Sequence, residues 1–460
     1  MDQNSISRRD FLRKAAGVAV GVAGMGVLGT CLTADKAIAE KETVTSGQVV
    51  NMPTSWDDEA DLVTIGTGVS LYGVIKAASE GLKVIAIDAA PTAGGSAGFS
   101  GGVLWLPNNP KARELGDTRE KAFAYIKDAN GSANFNEEIV NAFLDNIDPM
   151  LGFIDPLLQS TSEHLAYLAS PNLGDYHPHW KDGMEFGRSV DWRLDGKPDG
   201  GYNVVKLRKA ILELCDKTGV IMMTSTKATK FVYRYNVEGV PEVLGVICEK
   251  DGKEIAIKAN KAVLYAPGGF EWNMEMQKDF CAIPGCYPTS ISTNDGTGFK
   301  MVSALAPMMT NLANHFGHLC YEERAKEQIA KMAPANMVFE RHRAHTIMVN
   351  AHGKRFFNES CDYPTAQKQF YTPTSYGDNG RAMMPCWLVA DGQFLTQSGF
   401  NPKFCGDLDE QGIPLFFVKA DTLEELAEKM GVDKANFIAE VKRFNGFCDK
   451  GHDDDFTRGD

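Results

Sequence analysis

The hydrophobic period of the chain changes twice between residues 57 and 90. ADLVTI (60–65) is a short apolar run that reads as a buried strand, residues 72–81 read as a short helix, and LKVIAID (82–88) reads as a second strand ending at Asp88. Together they predict one β-α-β unit. Further on, VVKLRKAILELCDKTG (204–219) carries apolar residues at helical spacing, and Lys250, Asp251 and Gly252 sit between two alternating runs as a hairpin turn. KAVLYAPGGF (261–270) reads as a strand that leaves through a glycine pair, the kind of exit at which ligands meet backbone in an α/β sheet. Toward the end, Thr422 with Glu425 forms a capping box that opens a helix. Asp433 precedes another helix, whose Phe437, Val441 and Phe444 share one face. There is no internal repeat and no low-complexity segment. The pattern predicts an α/β fold.

The junction of the first strand and helix, GTGVSLYG (66–73), is close to a nucleotide-binding turn. In such a unit the first glycine permits the tight turn, the second lets backbone approach a pyrophosphate, and the helix N-terminus offers its N–H groups to the anion. Gly66 and Gly68 supply the first two. The third glycine would stand at 71, where Leu71 is expected to push the helix away from the strand. Asp88, 22 positions after Gly66, is placed to accept from ribose hydroxyls. An ordinary buried turn would have the same residues. The run PTAGGSAGFSGGVLWLPNNP (91–110) points to the ligand, because two glycine pairs with interleaved serines bring bare backbone and hydroxyls to one place. Its embedded Trp105 argues against a free surface loop.

The chain has 460 residues and is 43% apolar, enough to bury a full core divided between two domains. Its formal net charge of -13 and the lack of a Lys/Arg cluster exclude a nucleic-acid surface. Residues 1–39 have a basic start, a glycine-rich apolar run and a small-residue cleavage pattern at Ala37-Ile38-Ala39, an export signal rather than a fold element. Arg8 and Arg9 followed by Phe11 and Leu12 resemble a twin-arginine (Tat) signal, which predicts export of an already folded chain to the periplasm or cell-envelope exterior. A membrane helix over 15–32 and a lipid anchor on Cys31 are the alternatives. Residues 40–56 read as a polar linker. Nine cysteines remain from Cys215 to Cys448, read as mostly buried thiols, with a Cys281–Cys286 pair as an option. No C-x-x-C-H attaches haem, so electrons from outside would need a partner. The pairs His177/His179, His315/His318 and His342/His345 lack a third ligand at a recognisable spacing, so no metal is expected; His177 and His179 fit a substrate cavity instead. No hydrolase elbow and no P-loop is present.

These residues resemble flavoproteins of the 3-ketosteroid dehydrogenase and fumarate-reductase superfamily, nearest the ketosteroid dehydrogenase branch. The likeness runs from Asp57 to Asp460 and rests on five blocks in the family's order: GGSAGFSGGVLWLPNNP, APGGFEWN, TNDGTGFKMVSALAP, IMVNAHGKRFFNES and ADTLEELAEKMGV. It implies a Rossmann-like FAD-binding domain with an inserted α+β substrate domain, here 57–314 and 315–460. It implies FAD, with Gly66, Gly68, Asp88, Gly94, Gly95, Ser96, Ser100, Gly101 and Gly102 around its ADP and flavin moieties, and backbone contacts from Ala266 and Gly268. By motif, the tyrosine that acts as base beside the ketone matches Tyr363 in NESCDYPT, and the assisting tyrosine matches Tyr176 in GDYHPHWKDGMEFGRS. A positive neighbour or a tyrosine hydrogen bond is expected to lower such a phenol's pKa toward its task.

The resemblance therefore implies oxidation or reduction of a C–C bond next to a carbonyl in a hydrophobic, steroid-like enone. In the fumarate-reductase branch the substrate is a small unsaturated acid and an arginine donates the proton; RAHT (343–346) keeps that arginine as Arg343 but loses both neighbouring glycines. Three departures bear on the carry-over. The 66–73 loop is one residue shorter than the family's, which predicts a looser pyrophosphate grip. The family continues past DDDFTRGD into a segment that completes the FAD sheet and caps the flavin. That segment also carries a tyrosine and a glycine that polarise the ketone, each such donor being worth about 3 kcal/mol. The expectation is thus a fragment of a longer protein or an inactive relative. A binding protein unable to hold flavin is the non-enzyme alternative, and a visible spectrum separates the two.

Overall fold

The computed structural model describes residues 48–170, 173–197, 204–281, 285–310, 312, 317–338, 340–370, 384–397, 400 and 405–459. Apart from Gln48 and the turn at 235–240, they group as one unit. Its strands are β1 (Val49–Val50), β2 (Asp58–Ile65), β3 (Val84–Ile87), β4 (Leu104–Trp105), β5 (Leu165–Ala169) and β6 (Ser189–Leu194). They continue with β7 (Ile221–Met223), β8 (Thr226–Tyr235), β9 (Pro241–Lys250), β10 (Lys253–Tyr265), β11 (Thr346–Val349) and β12 (Trp387–Ala390). The helices that matter below are α1 (Leu71–Ser79), α2 (Glu137–Gln159), α3 (Val204–Lys217), α4 (Tyr363–Gln369), α5 (Leu423–Met430) and α6 (Lys434–Lys450).

Seven strands form the main sheet in the order β1-β8-β9-β10-β2-β3-β7. Its β10, β2, β3 and β7 run parallel, with Val63 opposite both Ile85 and Val263. The apolar residues of β3 are all buried, as the near-continuous hydrophobic run of a two-sided parallel strand requires. The hairpin between β9 and β10 turns at Asp251 and Gly252, both at positive φ, where the sequence places it. Val49 and Val50, inside the stretch read as linker, instead pair with Arg234 and Tyr233 as the sheet's edge strand. Trp56 packs beside them against Val232 and Ile247.

α1 begins at Leu71, which is 2% exposed and packs with Val74, Ile75 and Val84 in the largest core cluster. Leu71 is therefore a core residue of the helix and not a wedge that drives the helix off the strand. α2 adds Leu144, Ile147, Leu151, Ile154 and Leu158 to the same core, a three-four spacing that puts all five on one face. β4, β6 and β5 form a second, three-stranded sheet, and β11 pairs with β12 over a small core that includes Ala427 and Phe437. Thr422 caps α5 by accepting from the Glu425 N–H at 3.2 Å, while the Glu425 carboxylate reaches Asp421 rather than Thr422. In α6, Phe437 is fully buried with Val441 and Phe444 against it. The export signal, Cys31 and His315 lie outside the described residues. No described helix is long and apolar enough to cross a membrane.

Candidate active site

The carboxyl ends of β2, β3 and β10 open on one cleft, the expected ligand crevice of an open α/β sheet. Its volume is about 710 Å³. Gly66 follows β2 at φ +91°, and a Cβ there would collide with the Ala266 carbonyl oxygen, so the crossing of the two strand exits requires glycine. Gly68 is different: a Cβ built on it would meet only the Gly94 carbonyl oxygen, at 4.0 Å. The protein's own packing has room for a side chain at 68, and its absence leaves bare backbone on the cleft wall, as a closely approaching nucleotide needs. A Cβ on Gly95 would lie 3.3 Å from Gly68 Cα, so the two glycine turns touch.

Asp88 ties these turns together. Its Oδ2 accepts the Thr67 N–H at 3.0 Å and the Thr67 hydroxyl, its Oδ1 accepts the Ala90 N–H at 2.8 Å, and Thr67 Oγ1 in turn accepts the Gly94 N–H at 2.9 Å. A carboxylate offers about four lone-pair sites, so acceptance from a ribose remains open to it. Gly66, Gly68, Asp88, Gly94, Gly95, Ser96, Ser100, Gly102, Ala266 and Gly268 all line the cleft; Gly101 is not among its lining residues. Sequence reasoning missed Thr67, Arg208, Lys227, Asn294 and Asp295, which line it too. Asn294 joins the serine turn to the β10 exit, donating to Ser96 Oγ at 3.2 Å and to Glu271 Oε1 at 3.3 Å. A backbone-lined cleft of this size, with a turn bare at Gly68 and a helix N-terminus at Ser70, fits a flavin dinucleotide.

The two predicted phenols meet. Tyr176 donates to Tyr363 Oη at 3.0 Å, with ring centroids 5.5 Å apart and planes at 71°. Tyr363 opens α4, where Asp362 caps the helix by accepting the Thr365 N–H at 2.9 Å and Pro364 follows. Tyr176 sits in a loop anchored by its neighbour Asp175, which accepts from Trp105 Nε1 at 2.7 Å, the Met184 N–H at 2.9 Å and Arg188 Nη1 at 2.8 Å. Arg188, 1% exposed, also grips Asp117 through two bonds of 2.9 and 2.6 Å. Burial opposes its charge, but the bonds and charges of Asp117 and Asp175 outweigh that and raise the guanidinium pKa. The cleft and the phenols are linked along the chain: Leu104 lines the cleft, and Trp105 beside it holds the residue before Tyr176.

The Tyr176 hydroxyl is pushed up, not down, first by desolvation, then by its bond to Tyr363 and by the charge of Asp362. Among the described residues no cation offsets this, and Tyr176 stays a proton-bearing donor to Tyr363. Arg343 follows the Glu340–His342 turn, and its carbonyl accepts from Arg458 Nη2 at 2.7 Å and from Thr346 Oγ1 at 2.8 Å. His177 stacks on Trp180 at 3.9 Å and donates its N–H to Tyr125 Oη at 3.1 Å, placing it in an aromatic wall next to Tyr176. His345 lies 3.1 Å from Asp391. Cys281 and Cys286 stand as separate thiols, with Gln277 bonded to both the N–H and the carbonyl of Cys286. Burial pushes the Cys215 and Cys248 thiols up to about 12, as expected of packing residues.

A family model described as "FAD binding domain" matches residues 61–460. The 4-oxocyclohexanecarboxylate 2-dehydrogenase of Sinomonas cyclohexanicum is 27% identical over 450 residues, covering 87% of this chain and 75% of that protein. The 3-oxosteroid 1-dehydrogenase of Mycolicibacterium smegmatis is 27% identical over 476 residues, covering 87% of this chain and 80% of that protein. The crystal structure of 3-ketosteroid delta1-dehydrogenase from Sterolibacterium denitrificans, in complex with 1,4-androstadiene-3,17-dione, superposes with a TM-score of 0.72 at 19% identity. That superposition covers 87% of this chain and 82% of that one, and the two share a fold.

Proposed function

The chain belongs to the FAD binding domain family, and we propose that within it the protein oxidises or reduces a C–C bond next to a carbonyl in a hydrophobic ketone or enone. The observation that carries this is the hydroxyl pair of Tyr176 and Tyr363 at 3.0 Å, in which Tyr176 is next in the chain to Asp175, itself bonded to Trp105 beside the cleft-lining Leu104. Gly66, Gly68, the 94–96 turn, Asp88, Ala266 and Gly268 would hold FAD, which when bound supplies the two-electron exchange at one carbon. Tyr363 takes the proton from the neighbouring carbon in oxidation and returns it in reduction. The form of Tyr363 that takes the proton is the phenolate; Tyr176 keeps its own proton and donates to Tyr363 Oη, which stabilises that charge before the proton is taken in oxidation and after it is given up in reduction. The loop that bears Tyr176 exposes Leu173, Trp180 and Phe186, each more than a third accessible, an apolar surface suited to a ring system rather than a small ion. The named activities of the two curated relatives, on a cyclic oxo-acid and on an oxosteroid, support a cyclic ketone as substrate.

We further assign the cofactor to residues 57–314 and substrate contacts to both 315–460, through Tyr363, and the 173–186 loop, with export through the twin-arginine signal and electrons exchanged with an external partner. The purified full chain is expected to be yellow and to convert 3-oxosteroids or 4-oxocyclohexanecarboxylate with an artificial electron acceptor. Tyr363→Phe should lower turnover about a hundredfold or more while flavin stays bound. Unchanged turnover in that variant removes Tyr363 from the mechanism; a colourless, FAD-insensitive chain removes the oxidoreductase reading itself.

A further inference from the structure

Two cations line the cleft among the described residues, and they are held differently. Lys227 is tied to Asp295 at 2.6 Å. Arg208, half-buried on α3, has no carboxylate within ion-pair distance among the described residues; its Nε donates to the Ala93 carbonyl at 2.8 Å. That bond sets the guanidinium over the second glycine turn. A Cβ on Gly94 would lie 2.6 Å from Arg208 Nε, and one on Gly98 would lie 3.3 Å from Arg208 Cδ, so both glycines make room for this side chain. The guanidinium therefore stands over the second glycine turn, which touches the first at Gly68, two residues before Ser70 at the start of α1.

A half-buried positive charge without a carboxylate beside it favours an anion, and a guanidinium binds phosphate oxygens through a rigid fork of donors. The start of α1 favours the same charge: the first N–H groups of a helix have no partner inside it, Ser70 makes no side-chain cap, and no acidic residue occupies the first turn. Ser70 Oγ is already spent on the Gly66 carbonyl at 2.6 Å. The 66–71 turn thus offers an anion little beyond its backbone.

Building on the FAD reading above, we propose that Arg208 is a binding residue for the diphosphate bridge of the cofactor, supplying from α3 the charge that the 66–71 turn does not carry. The test is titration of the flavin-depleted full chain with FAD, ADP and riboflavin, alongside the melting temperature of each variant without ligand. Arg208→Gln should weaken FAD and ADP about tenfold to a hundredfold and leave riboflavin, which has no diphosphate, unchanged. Arg208→Lys, which keeps the charge but not the fork, should fall between the two. If Arg208→Gln does not fold, weakened FAD and ADP binding by Arg208→Lys with unchanged riboflavin supports the proposal equally. Equal affinity for FAD and ADP in variant and parent overturns it. So does an equal loss for riboflavin, since Arg208 would then only shape the 93–98 turn. A parent chain that takes up no FAD sinks the functional reading first, and this assignment with it.

Discussion

The cleft and the phenol pair solve the problem of placing a reactive group with different materials. In the cleft, Gly66, Gly68 and Gly95 bring main chain within contact of main chain, and one carboxylate, Asp88, stitches the turns together. At the pair, two side chains separated by 187 positions meet at a single hydrogen bond, and neither lies in a regular sheet. Tyr363 is fixed by a helix cap, and Tyr176 by a loop whose neighbour is anchored in a buried ion triad. Backbone placement tolerates little change at the crossing points and much elsewhere. Side-chain placement depends on each supporting bond.

Removing Arg188 tests that difference most severely. Arg188→Met would leave Asp117 and Asp175 buried with side chains at 0% exposure and no counter-charge, at a cost of about 3 to 5 kcal/mol. The melting temperature should fall by many degrees, and in whatever protein remains folded turnover should drop with Tyr176 unanchored while FAD affinity changes little. Parallel loss of FAD binding and turnover would mean that the two regions are one cooperative structure, and the contrast would fail.

Within the cleft the sharper comparison is Gly66→Ala against Gly68→Ala. The first forces a Cβ into the Ala266 carbonyl at φ +91°, and together strain and overpacking should cost about 2 to 4 kcal/mol. The second has open space at 4.0 Å, so stability should change by less than about 0.5 kcal/mol while FAD affinity falls. Denaturant melts and flavin titrations of both variants check this. A stability loss at 68 equal to that at 66 would show that its missing side chain serves packing and not a ligand.

How much of this was legible follows the same division. The β-α-β unit, the glycine turns, the 250–252 hairpin and the capped helices show in local period and composition, because their cause is local. The Tyr176–Tyr363 contact is visible only through the likeness to known flavoproteins, since nothing in spacing brings 176 to 363. Arg188, Asp117 and Asp175 look like solvated charges in sequence, and only the fold buries them together. Arg208 is hidden in the same way on the polar side of an amphipathic helix. α2 carries Pro149 and Pro156 in its interior, the residues least expected there, and its five core side chains outweigh them. Leu71 reads in sequence as a residue standing in place of a turn glycine, whereas in the fold it is the first residue of α1 and packs on that helix's buried face.

The smallest expected effect separates the two regions by pH. Tyr72 on α1 and Tyr265 at the end of β10 are pushed up to about 12 by burial alone, whereas Tyr176 is raised by its tyrosine partner as well. A phenol raised on folding keeps its proton where the unfolded chain has begun to lose it. Its contribution is intact below pH about 10 and disappears as pH climbs toward its folded value, so stability should fall between roughly pH 10 and 12. Tyr72→Phe deletes one such proton and should flatten the fall by up to about 1.4 kcal/mol per pH unit in that window. In Tyr363→Phe, Tyr176 loses the second of its raising causes but keeps the first, so one tyrosine should ionise at lower pH in an absorbance titration, with Tyr72 and Tyr265 unmoved. A titration curve that Tyr363→Phe leaves unshifted would mean that the hydroxyl contact does not set the chemistry of Tyr176, and the pair would then be two neighbouring aromatics rather than one proton-handling unit.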